Sequence, residues 1–503
     1  MKTSKSETLT NPSDGLKGLK KYWKSELISG FLVFLLAMPL SLGIAKASLF
    51  PAVYGIVTAI IGGLVVSFFM GSRISIKGPA AGLIVIVAGC VSATGDGEIG
   101  WKYTCAIICL ASVLQIFFGV LKWGSLADYF PSIAVHGMLA AIGIIIMSKQ
   151  INLLFGINPS ELKGLDTIEL LKKIPESIIH ENTHLTEIGI TCLILMFILN
   201  AIPFTFIKKI PPPLIVLLVS VPLGILLHIK TEGEIQNYAL VKIGNIGDII
   251  NQSLIKADFS IVWKKPSVVI QYIVLFSLIG SIESLLTAKA MDQLDPYKRK
   301  SNFNKDLWAV GIGNVLSGLL GGLPMISEVA RSSANIGYGA KTRWSNFFHG
   351  GFLLLTLCFA QSIIEWIPNV ALSAMLIYVG FKLTHPKSFV HVYKKNKIEF
   401  IVFISTILIT LLTDLLMGVS TGIALTLIIN WLKGLSVKNT FKCNTQIITT
   451  DKTSYLLIKS PLTFTNIGSL KKLLNNESIN IKLAPHSWTD DTAQEFLKAN
   501  NLI

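Results

Sequence analysis

The stretch "GPAAGLIVIVAGC", Gly78–Cys90, decides the fold of this chain, because a proline opens an uncharged run that is too short to be an ordinary membrane span. An α-helix needs about 20 residues to cross about 30 Å of hydrocarbon. A second stretch of the same kind, "LLGGLPMIS", Leu319–Ser327, has glycines before Pro324. We predict that Pro79 and Pro324 each open a short helix after an extended stretch, since proline suits the first helical position.

The composition of the whole chain places it in a membrane. Of its 503 residues, 51% are hydrophobic and 15% are charged, whereas soluble domains carry about 25% charged residues. The net charge of +15 could indicate nucleic acid, but the lysines and arginines gather in loops between apolar segments, as cytoplasmic loops of membrane proteins do. No nucleic-acid partner is therefore expected. The six cysteines lack the paired spacing of a disulfide or metal site.

Fourteen apolar segments can be counted along the chain. They are 26–46, 50–70, 79–94, 102–122, 129–154, 186–206, 211–228, 266–290, 306–320, 325–337, 346–364, 367–383, 399–413 and 415–433. Lysines before the first segment and in the loops after even-numbered segments, including Lys208 and Lys209, place these parts inside by the positive-inside rule. The connections 156–185 and 229–265 would lie outside. We predict a multi-pass protein of the inner (plasma) membrane with both termini in the cytoplasm.

Segments three and ten are the two short segments that a glycine-flanked proline opens, and each is the third of seven. Pro324 follows Pro79 by 245 positions, and the first segments of the two groups begin 240 positions apart, at Glu26 and Pro266. Because seven is odd, the second group must be inverted relative to the first. Short, Gly/Pro-interrupted segments at matching positions of inverted repeats indicate the midplane binding site of a transporter.

The backbone of such a pair of helices attracts anions. The first N–H groups of each helix have no partner within the helix, and the helix dipole adds about half a positive charge there. Two helix N-termini that face each other can hold an anion without an ionised side chain. The extended backbone before each helix has to be buried in protein or line a cavity.

The sequence resembles the sulfate permease (SulP) family of anion transporters over roughly residues 20–435. The motifs that carry this resemblance are "SRISIKGPAAGL" (Ser72–Leu83), "SLIGSIESLLTAKAMDQL" (Ser277–Leu294) and "NVLSGLLGGLPMISEVARSSANI" (Asn314–Ile336). The resemblance implies a seven-plus-seven inverted repeat with a core and a gate domain, a cytoplasmic C-terminal STAS domain and a homodimer. The expected fold class is an all-α polytopic membrane protein with short strands before two half-helices and a small α/β module at the C-terminus.

Two departures from the family pattern bear on function. Sulfate-type members carry Pro-Gln in segment one, whereas this chain has Pro39-Leu40-Ser41, which resembles the bicarbonate-transporting members. The tail is shorter than a STAS domain, and "TSYLLIKS", "GSLKKLLNN", "INIKLA" and "TAQEFLKANN" predict strand, helix, strand and helix. We therefore expect a cytoplasmic N-terminal segment at 1–25, a transmembrane domain at 26–435 and an abbreviated STAS-like domain at 436–503, without the usual Asp-Ser/Thr turn.

Glu283 is the most informative side chain, because it lies inside segment eight after an uncharged run. An intramembrane carboxylate is costly and is a functional candidate by default. Thr287, four residues on, shares its helix face. In the resembling family this position carries an acid linked to sodium or proton coupling, and "Glu-Ser-Leu-Leu-Thr" matches the sodium-site spacing of the bicarbonate members with Glu for Asp. The resemblance thus implies a coupling-ion site at Glu283 and Thr287, with sodium or a proton as the ion and no other cofactor. The alternative is a structural carboxylate paired with a lysine or a buried amide.

Arg331 and Glu328 occupy the first turns of segment ten. Arg331 matches a basic residue at the anion site of the resembling family and can hold an oxyanion with paired N–H donors. Glu328 is a departure from that pattern, and two interpretations stay open: it binds a cation or proton together with the substrate, or it pairs with Arg331 and closes the site. Lys77 either complements Glu328 across the site or extends to a cytoplasmic vestibule.

The other substrate-binding candidates are neutral donors. They are the hydroxyl groups and backbone around segments one, three and ten: Ser41, Gly78, Ala80, Ala81, Met325, Ile326 and Ser327.

These observations predict a secondary active transporter of a small inorganic anion that works by alternating access. We expect bicarbonate with sodium or proton symport, and the alternative is proton-coupled transport of sulfate or a dicarboxylate. An anion channel, or a non-pumping membrane protein of the same fold, is the alternative of another class, and a nucleobase permease shares the fold. The intramembrane acids favour coupled transport, and the cationic Lys77 and Arg331 favour an anion. The sequence contains no catalytic constellation and no phosphate-binding loop, so neither an enzyme nor direct use of ATP is expected.

Overall fold

The computed structural model describes ten stretches of the chain: 11–124, 131–162, 165–201, 210–229, 236–242, 254–413, 415–450, 453–474, 480–484 and 487–499. Several predictions fall partly or wholly on other residues, among them the connection 229–265, of which 230–235 and 243–253 are not described. The loop at Lys208 and Lys209, with the end of segment six, lies outside the described residues, and so do residues 1–10 of the N-terminal segment.

The elements of the first part of the chain alternate between long apolar helices and short turns. They are α1 (Gly15–Ala47), α2 (Val53–Leu64), α3 (Val66–Phe69), β1 (Ile76–Pro79), a 3₁₀ turn (Ala81–Leu83), α4 (Ile84–Thr94), α5 (Gly97–Val120), α6 (Ser132–Leu154), a 3₁₀ turn (Pro159–Leu162), α7 (Thr167–Ile179), α8 (Thr183–Ala201), α9 (Pro212–Leu226) and α10 (Gln236–Ala239).

The second part repeats this pattern and adds strands at its end. Its elements are α11 (Ile261–Lys264), α12 (Pro266–Leu294), α13 (Phe303–Leu319), β2 (Met325–Glu328), α14 (Val329–Gly337), α15 (Trp344–Phe359), α16 (Gln361–Ile364), α17 (Asn369–Leu383), α18 (Pro386–Lys395), α19 (Lys397–Leu412), α20 (Leu415–Leu432), a 3₁₀ turn (Val437–Asn439), β3 (Thr445–Thr450), β4 (Thr453–Ile458), α21 (Ile467–Leu474), β5 (Asn480–Leu483) and α22 (Asp491–Ala499).

The helical membrane architecture predicted from the sequence is confirmed. Among the described residues, α1, α5, α6, α8 and most of α12 are long and apolar enough to cross a membrane. The number of fourteen spans stays a prediction. The helix that contains the first predicted segment begins at Gly15, before residue 26, because the Asp14 carboxylate accepts a hydrogen bond from the Gly15 amide and caps the helix.

A two-stranded antiparallel ribbon of β1 and β2 joins the two proline-containing stretches. Ile76 lies opposite Glu328, and Pro79 lies opposite Met325. Short strands do precede the two half-helices, as predicted, but β2 lies after Pro324 rather than before it, and the predicted helix starts at the prolines are wrong. Pro79 is the last residue of β1, and β2 lies between Pro324 and α14. Because the strands are antiparallel, the two short helices leave the ribbon at opposite ends.

The contacts of the chain divide it into two units. The first consists of 1–124 and 146–379 and contains the ribbon. The second consists of 125–145 and 380–503. The division into 1–25, 26–435 and 436–503, with its core and gate domains, stays a prediction.

The C-terminal module of the second unit has a small three-stranded sheet. The strand order is β3-β4-β5, with β3 and β4 antiparallel and β4 and β5 parallel. Apolar residues of the strands and of α21 and α22, among them Leu456, Ile458, Leu470 and Leu497, form a buried core. The predicted order of strand, helix, strand and helix matches β4, α21, β5 and α22. The sequence interpretation missed β3, whose "TQIITT" carries little apolar alternation.

Candidate anion-binding site

Polar side chains complete the hydrogen bonds at the two edges of the ribbon. The Ile76 amide donates to Ser332 Oγ over 2.9 Å, and the Lys77 amide donates to Asn346 Oδ1 over 3.2 Å. Asn314 Oδ1 accepts from the Met325 amide over 2.6 Å, and its Nδ2 donates to the Met325 carbonyl. A strand edge inside a membrane needs such partners, because no water is there to supply them. The ribbon is therefore a fixed platform.

A buried ion pair lies on one face of this ribbon. Lys77 Nζ lies 2.5 Å from Asp306 Oδ2, and neither side chain is more than 1% exposed. Lys77 also donates to Ser327 Oγ, directly opposite on β2, and to Ser72 Oγ over 3.2 Å. The other oxygen of Asp306 accepts from the amides of Gly71 and Ser72 over 3.1 and 3.0 Å. Such a pair is tolerable when hydrogen bonds satisfy its remaining atoms, as they do here.

The predicted position of Lys77 opposite Glu328 is therefore wrong. The ammonium group of Lys77 is used by Asp306, which lies at the start of α13. Successive residues of a strand point to opposite faces, so Lys77 and Ser327 lie on one face, while Gly78, Ile326 and Glu328 belong to the other. The positive charge of Lys77 is neutralised on its own face.

Glu328 caps the helix that follows β2. Its Oε2 accepts a hydrogen bond from the Arg331 amide over 2.7 Å, so the carboxylate sits at the helix N-terminus, where an anion is favoured. The predicted alternative of a Glu328–Arg331 side-chain ion pair is wrong, because the guanidinium group has no hydrogen-bond partner among the residues that the structure describes, Glu328 included. The missing pair leaves the guanidinium available for a different partner.

The Arg331 guanidinium is the principal polar group without a partner at this site. Arg331 is 0% exposed, and within the described part of the chain none of Nε, Nη1 and Nη2 has a hydrogen-bond partner. A Cβ atom on Gly78 would lie 2.4 Å from Nη1, so glycine is required there for the guanidinium to approach the ribbon. His349 on α15 is also 0% exposed, and both of its ring nitrogens lack partners. A buried charge with five unused N–H donors is a strong site for an oxyanion.

Glu283 lies next to the first turn that follows β1. It is 7% exposed, and its Oε1 has no hydrogen-bond partner in the described stretches of the chain. A Cβ atom on Gly82 would lie 2.3 Å from Oε1, so the carboxylate reaches the backbone of the 3₁₀ turn. Thr287 is buried one helical turn farther along α12. The neighbouring Ser284 links α12 to the ribbon by accepting a hydrogen bond from the Ser327 amide over 3.2 Å.

The charge of Glu328 acts on both Arg331 and Glu283. It attracts the guanidinium of Arg331 and repels the carboxylate of Glu283. The three ionisable groups thus form one electrostatic cluster around the start of α4 and α14. Among the described residues, no group of three or more His, Cys, Asp or Glu side chains is placed to hold a metal ion. Sodium binding at Glu283 and Thr287 stays a prediction.

The neutral candidates divide into free and engaged donors. The hydroxyl of Ser41 on α1 is buried and has no partner, and Ala81 is half-buried beside Gly82. Met325 is engaged, because Asn314 takes its amide, and it packs in an apolar cluster with Ile61. The remaining candidates are buried in or directly after the ribbon: Gly78, Ala80, Ile326 and Ser327.

Sequence reasoning missed the polar residues that support the site. Asp306, Asn314 and Asn346 lie in apolar segments, as Glu283 does, and an ionisable or amide side chain inside a span is a signal that could have identified them. Their partners could not be identified in this way, because the paired residues lie more than 200 positions apart, except for Asn314 and Met325.

Comparison with known proteins identifies the family. A model of the sulfate permease family matches residues 23–406. The chain belongs to the sulfate permease family. The bicarbonate transporter BicA of Synechocystis is 26% identical over 413 residues, which cover 80% of this chain and 68% of that protein. The chloroplastic sulfate transporter 4.1 of Arabidopsis thaliana is 22% identical over 475 residues, which cover 91% of this chain and 67% of that protein.

The solved structures agree with the fold. The transmembrane domain of a cyanobacterial bicarbonate transporter BicA matches with a TM-score of 0.67 at 22% identity, over 80% of this chain and 98% of that domain. This sulfate permease family member is an integral membrane protein that transports anions, and it is not an enzyme.

Proposed function

We propose that the protein is a secondary active transporter that binds bicarbonate at Arg331 and carries it together with sodium or a proton, by alternating access. The observation that supports this most directly is the buried guanidinium of Arg331 without a hydrogen-bond partner. An unpaired buried charge is strongly unfavourable. A bound oxyanion would accept two parallel hydrogen bonds from the guanidinium and remove that cost.

The charge of the site favours an anion with a single charge. Lys77 is neutralised by Asp306, which leaves Arg331 as the cation of the cluster, next to Glu328 and Glu283. A dianion would add a second negative charge close to these carboxylates. Bicarbonate adds one, and a cation or proton at Glu283 balances it.

Glu283 is the proposed coupling group because its Oε1 has no hydrogen-bond partner and its charge is repelled by Glu328. Binding of sodium or a proton at Glu283 relieves this repulsion and makes the neighbouring anion site more favourable. The two binding events are then linked, as symport requires.

The same proposal includes the location of the protein, its oligomeric state and its C-terminal domain. We place it in the plasma membrane with both termini in the cytoplasm, as a homodimer, with 436–503 as an abbreviated STAS-like domain. In support of the alternating topology, α1, α4 and α6 end at one side of the first unit, and α5 and α17 begin there.

Sulfate with proton symport is the second candidate, because a relative at 22% identity is named as a sulfate transporter. The test is uptake of labelled bicarbonate, sulfate and fumarate into proteoliposomes, with sodium and pH gradients imposed separately. We expect uphill bicarbonate uptake under one gradient. Uphill sulfate uptake with no bicarbonate uptake would instead support the second candidate. A current that reverses at the equilibrium potential of the anion would identify a channel and contradict both.

In the same assay, substitutions test the role of Glu283 in coupling and the role of Arg331 in anion binding. Glu283→Gln should abolish uphill uptake, and Glu176→Gln, an exposed acid on α7, should leave it unchanged. Arg331→Lys keeps the charge but removes the paired donors. Loss of one charge-assisted hydrogen bond costs about 1.5–3 kcal/mol, so the KM for the anion should rise roughly 10-fold to 150-fold. An unchanged KM in Arg331→Lys and in Arg331→Gln would refute the anion site.

A further inference from the structure

A cavity of about 790 Å³ lies in the first unit. We call it the vestibule. Its wall is formed where α1, α4 and α6 end and where α5 and α17 begin. Gly43, Val91 and Leu376 contribute apolar surface to it. None of Ser41, Lys77, Glu283, Glu328 or Arg331 lines the vestibule, so it needs an explanation of its own.

Two lysines line the vestibule without a partner. Lys46 lies in the last turn of α1, and Lys149 lies near the end of α6; both are half-buried. Among the residues that the structure describes, neither has a hydrogen bond or an ion pair. Lys46 is repelled by a third lysine, Lys242. The vestibule thus holds uncompensated positive charge.

The acids at the vestibule do not cancel this charge. Glu98 is paired with Lys102 over 2.7 Å at the exposed start of α5. Asp96 also lines the vestibule and has an interaction of its own, but neither acid attracts Lys46 or Lys149. Fields from like charges are concentrated in a concave site with apolar walls, which raises the local concentration of counter-ions. Gln150, Ser92 and Ser373 add polar groups to the wall.

We propose that the vestibule is a second binding site, for small hydrated inorganic anions, in which Lys46 and Lys149 hold the anion. Its volume accommodates an anion with its water, since one water occupies about 30 Å³. The site collects anions on the side of the membrane where α1 ends. That this side is the outer one rests on the proposed topology, whereas the anion affinity does not.

The test measures the charge selectivity of a cysteine placed in the vestibule. Ser92 lines it and is exposed, and Cys358 is exposed while the other five cysteines are buried. In a Ser92→Cys, Cys358→Ser protein in proteoliposomes, we compare the reaction rates of an anionic and a cationic methanethiosulfonate reagent. Each rate is divided by the rate of that reagent with a free thiol.

We expect the anionic reagent to react faster, and millimolar sulfate or bicarbonate to slow it. Replacing both lysines by methionine should lower the anionic-to-cationic rate ratio roughly tenfold, because two unit charges that line the same cavity are lost. Lys46→Arg with Lys149→Arg should keep the ratio. Lys122→Met, two residues beyond the last residue of α5, should not change it.

The possible outcomes test the anion site separately from the orientation of the protein in the membrane. Two results would overturn the proposal: an unchanged rate ratio after the double methionine substitution, or no effect of sulfate and bicarbonate on the anionic reagent. Either result would mean that the lysines only neutralise helix C-termini. Absence of reaction in detergent also overturns the proposal. Reaction only with reagent inside the vesicles, with the ratio lowered in the methionine variant, supports the site and refutes the orientation.

Discussion

Replacement of Lys77 by methionine tests whether this residue serves the anion or the ribbon. The sequence assigned Lys77 to the substrate, whereas the structure pairs it with Asp306 at 2.5 Å, with both side chains buried. Lys77→Met removes the ammonium and leaves the carboxylate buried with hydrogen bonds but without a counter-charge. The expected consequence is a loss of folding free energy rather than a selective loss of anion affinity.

The size of the effect follows from the burial of the pair. Removing one partner of a buried ion pair costs about 3–5 kcal/mol. For a chain of this length, each kcal/mol of lost folding free energy lowers the melting temperature by about 1–2 °C. This is half the shift expected for a domain of half the length. Lys77→Met should therefore melt about 3–10 °C lower. The double variant Lys77→Met, Asp306→Asn should recover at least half of this loss, because no buried charge is left unpaired.

The assay is thermal unfolding of purified protein in detergent, followed by loss of the monodisperse peak in size-exclusion chromatography. The matched control is Lys102→Met, since Lys102 pairs with Glu98 at 2.7 Å but the two side chains are 39% and 70% exposed. An exposed pair contributes about 0–1 kcal/mol. If Lys77→Met melts like this control, or if Asp306→Asn adds to Lys77→Met without recovery, the two residues do not act as a pair.

Two further substitutions test the coupling group and the C-terminal module. Gly82→Ala places a Cβ atom 2.3 Å from Glu283 Oε1, so it should raise the sodium or proton concentration needed for half-maximal uptake severalfold. Gly351→Ala, whose Cβ meets nothing within 4 Å, should not, and equal values for the two variants would contradict the placement of Glu283. In the C-terminal module, burial raises the pKa of Asp490 from 3.8 to about 6. The folded module therefore binds a proton at Asp490 more tightly than the unfolded chain does. Its free energy of unfolding falls as pH rises from about 4 to 6, by up to about 3 kcal/mol. Asp490→Asn should remove this pH dependence from the stability of the module, measured by hydrogen exchange of residues 487–499; a variant whose stability follows pH as that of the parent does would refute it.

The extended stretches and the coupling candidate could be predicted from the sequence for local reasons. Gly-Pro and Gly-Gly-Leu-Pro interrupt apolar runs, which indicated strands, and Glu283 is a carboxylate in an apolar span. The helix starts could not be read from the prolines. In the second half the helix begins where the Glu328 carboxylate caps the Arg331 amide, four residues after Pro324.

The partners of the charged residues could not be predicted, because they depend on tertiary contacts. Lys77 and Glu328 are both near the prolines, and opposite charge suggested a pair. Strand alternation places them on opposite faces, and Asp306 from α13 takes the lysine instead. The start of α1 at Gly15 also depended on a cap, which the apolar pattern does not include.

The pairing of β1 with β2 has a consequence for biosynthesis. Asp306 follows Lys77 by 229 positions, and a ribosome adds about 5–20 residues per second, so about 10–50 s pass between the synthesis of the lysine and of its counter-ion. During that interval β1 has no second strand, and Lys77 is a lone cation in the inserted first half. The nascent chain must keep this segment close to water or to the insertion machinery until β2 emerges. The ribbon is therefore assembled late, and chains that stop before Asp306 present an unpaired strand edge and a charge that membrane quality control can recognise.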